Sequence, residues 1–192
     1  MTDFDTAAYW RQRFENESSF EWLISSEQFM PFLQGFLKTG STVLNLGSGS
    51  SDLHVHLRRQ GFVTTSVDFV ESAIQHGKAL EETVFGNVTT DYLVADATQL
   101  PSFERKFDLV VDKSTADAIS CGPHLSHLMR SVHASICPEG SWICCSYSAD
   151  RFAEIPTEMA LFEVSVLGKV PLSKSNPFDP DIWTWIYLLK PL

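Results

Sequence analysis

The stretch Thr42-Val-Leu-Asn-Leu-Gly-Ser-Gly-Ser-Ser-Asp-Leu53 decides how the chain is to be read. An apolar run, Thr42–Leu46, meets a turn of small residues, then an acid, then an amphipathic stretch. This is the order of a buried strand, a tight turn and a helix. Gly47 and Gly49 let the backbone turn sharply and let a ligand approach it closely. The first amides of the helix that follows favour negative charge. The same residues also suit a plain tight turn with a helix cap at Ser51 or Asp52, so the turn alone leaves both readings open.

Working outward, the pattern repeats. Asp52–Gln60 reads as a helix closed by Gly61, Val63–Asp68 as a second strand and Glu71–Glu82 as a second helix. Asp91–Ala95 and Phe107–Asp112 read as the third and fourth strands. His124–Ile136 is a helix ended by "CPEG", and Ser141–Tyr147 is the fifth strand. Apolar strands alternating with amphipathic helices imply βαβ units and a parallel sheet buried on both faces. Right-handed crossovers then bring the C-terminal strand ends to one edge. The tail differs: "ALFEVSVLGKVPL" and "DIWTWIYLLKPL" are β-rich, joined by the Pro/Asn/Ser-rich loop Pro171–Pro180, and predict an antiparallel pair that finishes the sheet. A nicotinamide dehydrogenase would continue with more βα units. Upstream, Tyr9–Leu37 is aromatic-rich, with Phe29, Phe32, Leu33, Phe36 and Leu37 on one helical stripe that Gly40 stops. The expectation is one α/β domain over residues 1–192: an N-terminal helical cap (1–40), a Rossmann-like core (41–150) and an antiparallel β tail (151–192). Its sheet would be seven-stranded and mostly parallel, with helices on both faces and the N-terminal helices as a lid.

Two acids extend the opening turn into a pocket. Asp68 ends the second strand about 20 residues beyond the glycines, where a carboxylate can accept from ribose hydroxyls. Asp96 ends the third strand, where it can accept from an exocyclic amine such as that of adenine. Each acid alone also fits a helix cap or a solvated loop. With the glycines, they describe a nucleoside site at the tips of three successive strands. No lysine follows the glycines as in a phosphate-cradling loop. A cationic sulfonium nucleoside, S-adenosyl-L-methionine, therefore fits better than an anionic nucleotide.

Composition excludes several classes. With 14 Lys+Arg against 24 Asp+Glu, the formal charge is −10, a poor match to nucleic acid; it suits a basic protein partner or serves solubility alone. Hydrophobic residues make up 44%, enough for a proper core. No apolar run approaches the roughly 20 residues of a membrane span, and the acidic start lacks a secretory pattern. The expected location is the cytoplasm, with the nucleus as a second compartment. The four cysteines, Cys121, Cys137, Cys144 and Cys145, form no CxxC pair and read as free thiols. His54 and His56 would share a face on a strand but not on the expected helix, so no metal is expected.

The motifs "YWRQRF", "FEWL", "VLNLGSGSSDL", "SVDFV", "VADATQL", "FDLVVDKSTADAI" and "WTWIYLL" together resemble the seven-β-strand (class I) methyltransferases. Within them the chain is similar to the group around eukaryotic elongation factor 1A lysine methyltransferase 4 and its methyltransferase-like relatives. The resemblance runs from about Tyr9 to the end, and "YWxxRF" with "DKSTADA" is its most specific part. It implies cofactor contacts from Trp10, from Phe14 and Phe20 (where the family has tyrosines), and from Gly47 and Gly49. It pairs Asp68 with Phe69 at the ribose and Asp96 with Ala97 at the adenine, and it matches Lys113 to the lysine of a "(D/E)KGTLDA"-like motif. Phe14 and Phe20 also fit plain core positions, and Lys113 a contact to Asp112. Besides Phe14 and Phe20, which lack the tyrosine hydroxyls, the departures are Asn45 where many relatives have an acid, Ser114 for glycine, and Ala116 for leucine.

The implied reaction is direct transfer of a methyl group, and the expected acceptor is a protein lysine, on a basic protein such as a translation factor. A small-molecule O-, N- or S-methyltransferase, or a non-catalytic cofactor-binding module, are the alternatives. No catalytic residue is assigned; Asp112, Tyr147, Trp10 and Trp22 are the candidates for helping a lysine lose its proton.

Overall fold

The structure, a computed structural model, describes all of the 192 residues except 1–3, 5, 18, 37, 154, 156–159, 175 and 177. Strands β1 (Thr42–Leu46), β2 (Val63–Asp68), β3 (Asp91–Val94), β4 (Phe107–Lys113), β5 (Ile136–Ser146), β6 (Phe162–Pro171) and β7 (Trp183–Pro191) form one seven-stranded sheet in the order β3-β2-β1-β4-β5-β7-β6. Neighbours from β3 to β5 pair in parallel, and β7 runs antiparallel to both β5 and β6. The expected α/β architecture, with its antiparallel C-terminal pair, is the one observed.

The parallel strands are apolar on both sides because helices cover both sides. Val43, Leu109, Val111, Ile143 and Cys145 face α2 (Ser26–Leu33) and α3 (Leu53–Arg59), through Phe29, Leu33, Leu53 and Leu57. Leu44, Leu46, Val110, Trp142 and Cys144 face α6 (Leu125–Ser135), through Leu128, Met129 and Val132. Each fully buried large apolar side chain contributes about 1.5–3 kcal/mol. Trp142 has no exposed surface and meets Phe152 and Phe162 edge-on, each at 5.7 Å between ring centres. α4 (Glu71–Phe85) follows β2. Its buried Glu81 accepts from Arg58 at 2.6 Å and from the Tyr92 hydroxyl at 3.0 Å, tying α3, α4 and β3 together.

The structure departs from the sequence expectation in three places. The upstream helical stretch is two helices, α1 (Ala7–Asn16) and α2, separated by an irregular segment; Ser25 and Gln28 close a reciprocal capping box that starts α2. Phe29 and Leu33 of the stripe are buried, Phe32 and Phe36 partly so, and Leu37 lies outside the described residues. A short helix, α5 (Thr115–Ile119), lies within "STADAI". β5 begins at Ile136, so "CPEG" interrupts a strand rather than preceding one: Phe107 pairs with Ile136, then Leu109 with Ser141. The bulge absorbs the turn residues without ending the ladder.

Candidate active site

The C-terminal ends of β1 to β5 open on one cavity of about 720 Å³. Trp10, Phe14, Phe20, Gly47, Gly49, Asp68, Phe69, Asp96, Ala97 and Lys113, the residues singled out from the sequence, all lie on its wall. They come from α1, from the segment after it, and from the tips of four strands. Topology alone brings them together.

At the β1 tip, Gly47 and Gly49 both have positive φ, 56° and 51°. A Cβ on Gly47 would meet the Thr115 hydroxyl at 2.1 Å, so α5 packs directly on the turn. That hydroxyl donates to the Leu46 carbonyl at 3.0 Å. Asp68 reaches back from the β2 tip. Its Oδ2 accepts from the Gly49 amide at 2.9 Å and its Oδ1 from the Val70 amide at 2.9 Å. Burial pushes its carboxyl up to about 6, against the pull of the Val70, Gly49 and Phe69 amides. Asp96 is exposed and caps a 3-10 turn over Ala97–Gln99, its Oδ1 accepting from the Thr98 amide at 2.8 Å and hydroxyl at 2.7 Å. Its Oδ2 accepts from no described residue. Asn45 is buried on the wall and donates to the Ser66 hydroxyl at 3.3 Å.

Phe14 is buried, stacked on Trp10 with ring centres 5.5 Å apart, and touches the position a Gly49 side chain would take. The core position and the cavity wall are therefore the same place. Phe20 is half-exposed beside Trp22, and the Arg13 guanidinium lies over both rings, at 4.9 and 4.5 Å. Lys113 does not pair with Asp112. Its buried ammonium donates to the Glu21 carboxylate, and also to the carbonyls of Ile24 at 3.1 Å and Trp22 at 3.5 Å.

Asp112 does not reach the cavity. Strand alternation turns it to the opposite side from Lys113, where it is fully buried and its Oδ1 caps α5 through the amides of Thr115 (2.7 Å) and Ala116 (3.0 Å). Burial pushes its carboxyl up to about 6. It is thus a helix cap and drops out as a candidate for handling the acceptor's proton. Tyr147, at the β5 tip, is half-exposed on the cavity wall. The two helical histidines separate: His54 is buried against the Gly77 carbonyl at 3.1 Å, whereas His56 pairs with Asp52 at 3.2 Å.

Sequence reasoning missed several residues on or behind the wall. Asp117 on α5 binds Arg151, the Ser146 hydroxyl and the Tyr147 amide at 2.8 Å, and so joins the β4 and β5 tips. It lies inside the quoted "DKSTADA", so a signal existed. Glu17 and Ser50, 2.9 Å apart, link the upstream segment to the glycine turn and carried no local signal.

The wall fits a cationic adenosyl ligand by its chemistry. Apart from His124 and His127, its cationic residues are Lys113 and Arg151, each neutralised by an acid, whereas Asp68 and Asp96 carry no cationic partner. The Trp22 indole nitrogen is buried on the same wall without an acceptor among the described residues, which leaves a donor for a ligand.

Comparison with known proteins agrees with this geometry. A family model described as a methyltransferase domain matches residues 37–186. Methyltransferase srdJ of Neurospora crassa is 46% identical over 204 residues, spanning 100% of this chain and 85% of that protein. The eEF1A lysine and N-terminal methyltransferase of Danio rerio is 24% identical over 162 residues, spanning 81% of this chain and 23% of that protein. Among solved structures, the N-methyltransferase NodS from Bradyrhizobium japonicum WM9, in complex with S-adenosyl-L-homocysteine, superposes with a TM-score of 0.71 at 15% identity, covering 95% of this chain and 99% of that one. From strand order, site and family match together, the chain belongs to the class I S-adenosyl-L-methionine-dependent methyltransferases.

Proposed function

We propose that this methyltransferase acts on a lysine side chain of a protein, holding its donor on the wall formed by Trp10, Phe14, Phe20, Gly47, Gly49, Asp68, Phe69, Asp96 and Ala97. The observation that carries the donor assignment is the convergence of the glycine turn, Asp68 and Asp96 on one cavity. The lysine acceptor draws support from the eEF1A methyltransferase relative and from a net charge of −10, which favours encounter with a basic protein.

When bound, S-adenosyl-L-methionine supplies a methyl group already activated by its sulfonium. The chain's own residues bind, orient and exclude water. Asp68 and Asp96 offer acceptors to the sugar and the base. The rings of Trp10, Phe20 and Trp22 line an apolar approach to the cavity. A lysine entering it must first lose a proton from a group with a reference pKa of about 10.4. Loss of water there, and the Arg13 guanidinium already lying over the Phe20 and Trp22 rings, both disfavour a second cation and lower that value. Positioning of this kind supplies the main part of the acceleration when the reacting groups are held in line.

A second reading, a small-molecule acceptor, is favoured by the way the aromatic segment covers the cavity. Incubating the protein with donor labelled in the methyl group, together with elongation factor 1A or with cell lysate before and after dialysis, separates the two. Label in protein lysines supports the proposal. Label transferred only to a small molecule other than the donor, and only with the undialysed lysate, overturns it in favour of the second reading.

A further inference from the structure

The segment between α1 and α2 is held over the cavity in a conformation it would not adopt alone. Leu23 has φ of 65°, a left-handed value that a branched side chain disfavours. It is the middle of a three-residue turn closed by the Ile24 amide on the Trp22 carbonyl at 2.8 Å. Both carbonyls flanking Leu23, those of Trp22 and Ile24, also accept from the Lys113 ammonium. Lys113 completes its donors on Glu21, in the same segment. The ammonium is buried at the β4 tip, and strand β4 is central in the sheet. One buried cation therefore grips three positions of the segment, Glu21, Trp22 and Ile24, which lie 92, 91 and 89 residues away in the chain.

The rest of the segment is tied to the glycine turn. Glu21 accepts from the Asp52 amide at 3.2 Å, Phe20 donates its amide to Ser50 at 3.1 Å, and Ser26, the first residue of α2, meets Ser51 at 3.3 Å. What this arrangement presents to the cavity is Trp22, whose indole N–H has no acceptor among the described residues.

We propose that Lys113 and Glu21 are positioning residues: they latch the segment 19–25 as a lid on the donor site and set Trp22 against the bound donor. This rests on the donor site argued above. It assigns Lys113 to the lid rather than to the cofactor. Backbone strain persists where surrounding contacts over-determine it, and releasing those contacts lets the turn relax. The closed lid is then a state that Lys113 maintains, and donor exchange proceeds through its opening.

The test uses K113M, E21Q and K113R in the full chain, with thermal unfolding as a check of the sheet. Two measurements are made: chymotryptic cleavage after Phe20 and Trp22 without ligand, and S-adenosyl-L-homocysteine affinity by calorimetry. Loss of hydrogen bonds to a charged group predicts cleavage and Kd each raised about tenfold in K113M, by a smaller factor in E21Q, and nearly restored in K113R. Cleavage and affinity in K113M and E21Q within about twofold of the parent would overturn the latch. Should K113M fail to fold, E21Q decides, because Glu21 is partly exposed and its loss leaves the sheet intact. A parent protein that does not bind S-adenosyl-L-homocysteine would instead refute the donor site, and the cleavage arm would still judge the latch.

Discussion

Replacing Asp68 with alanine separates what this carboxylate does for the fold from what it does for the ligand. In the fold it receives the amides of Gly49 and Val70, each at 2.9 Å. Leaving two buried donors unsatisfied costs about 1–3 kcal/mol each. Against that stands the cost of burying the charge. The carboxyl moves from its usual 3.8 to about 6, equivalent to about 3 kcal/mol at neutral pH. That net penalty, with the pull of the amides already in it, is relieved in the variant, which should fold and lose about 0–3 kcal/mol. Binding has no such compensation. Two ribose hydroxyls donating to a charged acceptor account for about 1.5–3 kcal/mol each, or a loss of roughly 10²–10⁴ in affinity. Calorimetric titration with S-adenosyl-L-homocysteine at pH 8, beside a thermal unfolding curve, measures both quantities. The parent's affinity should also fall as pH drops below about 6, because the proton taken up there occupies the acceptor. In Asp68→Asn that dependence should vanish. An alanine variant that keeps its native spectrum and binds within about threefold of the parent would refute the role given to this strand tip.

Two further outcomes follow from the same geometry. Gly47→Ala places a Cβ 2.1 Å from the Thr115 hydroxyl at a positive φ, so urea unfolding should show a loss of about 2–4 kcal/mol, and an unchanged midpoint would contradict the packing of α5 on the turn. For Asp68 and Asp112, both pushed up to about 6 by burial, the native state holds more protons than the unfolded chain between about pH 4 and 6. The unliganded protein should accordingly be more stable at pH 5 than at pH 7, by about 1 kcal/mol from each group, and Asp112→Asn should remove its share; stability rising with pH over that window would contradict the burial of both acids.

Much of this architecture was legible because the governing signals are local. β1, β2, α3 and α4 follow from apolar runs, periodicity and the glycine turn, and they fall within a few residues of the expected positions. The bulge in β5 was not legible, because "CPEG" carries turn chemistry and only the partner strand keeps it in the ladder. α5 was missed because five residues are too few to show a helical period. Asp112 looked available to the acceptor because its face depends on which residue of β4 meets the cavity, and one position decides it. The Lys113–Glu21 pair joins positions far apart in the chain, and no reading of either neighbourhood would have matched them.

The arrangement of the sheet also bears on how such a protein can diversify. Val43, Leu44, Leu109 and Ile143, on the parallel strands, are fully enclosed, whereas Tyr147, Arg151 and the aromatic residues of the upstream segment stand on connecting loops. A change of partner chemistry can therefore be written into the rim while the scaffold beneath is left alone. Descendants of one ancestor could keep the strands and the glycine turn that seat the donor, yet diverge in what receives the group, through drift in the stretch around Tyr147 and Arg151.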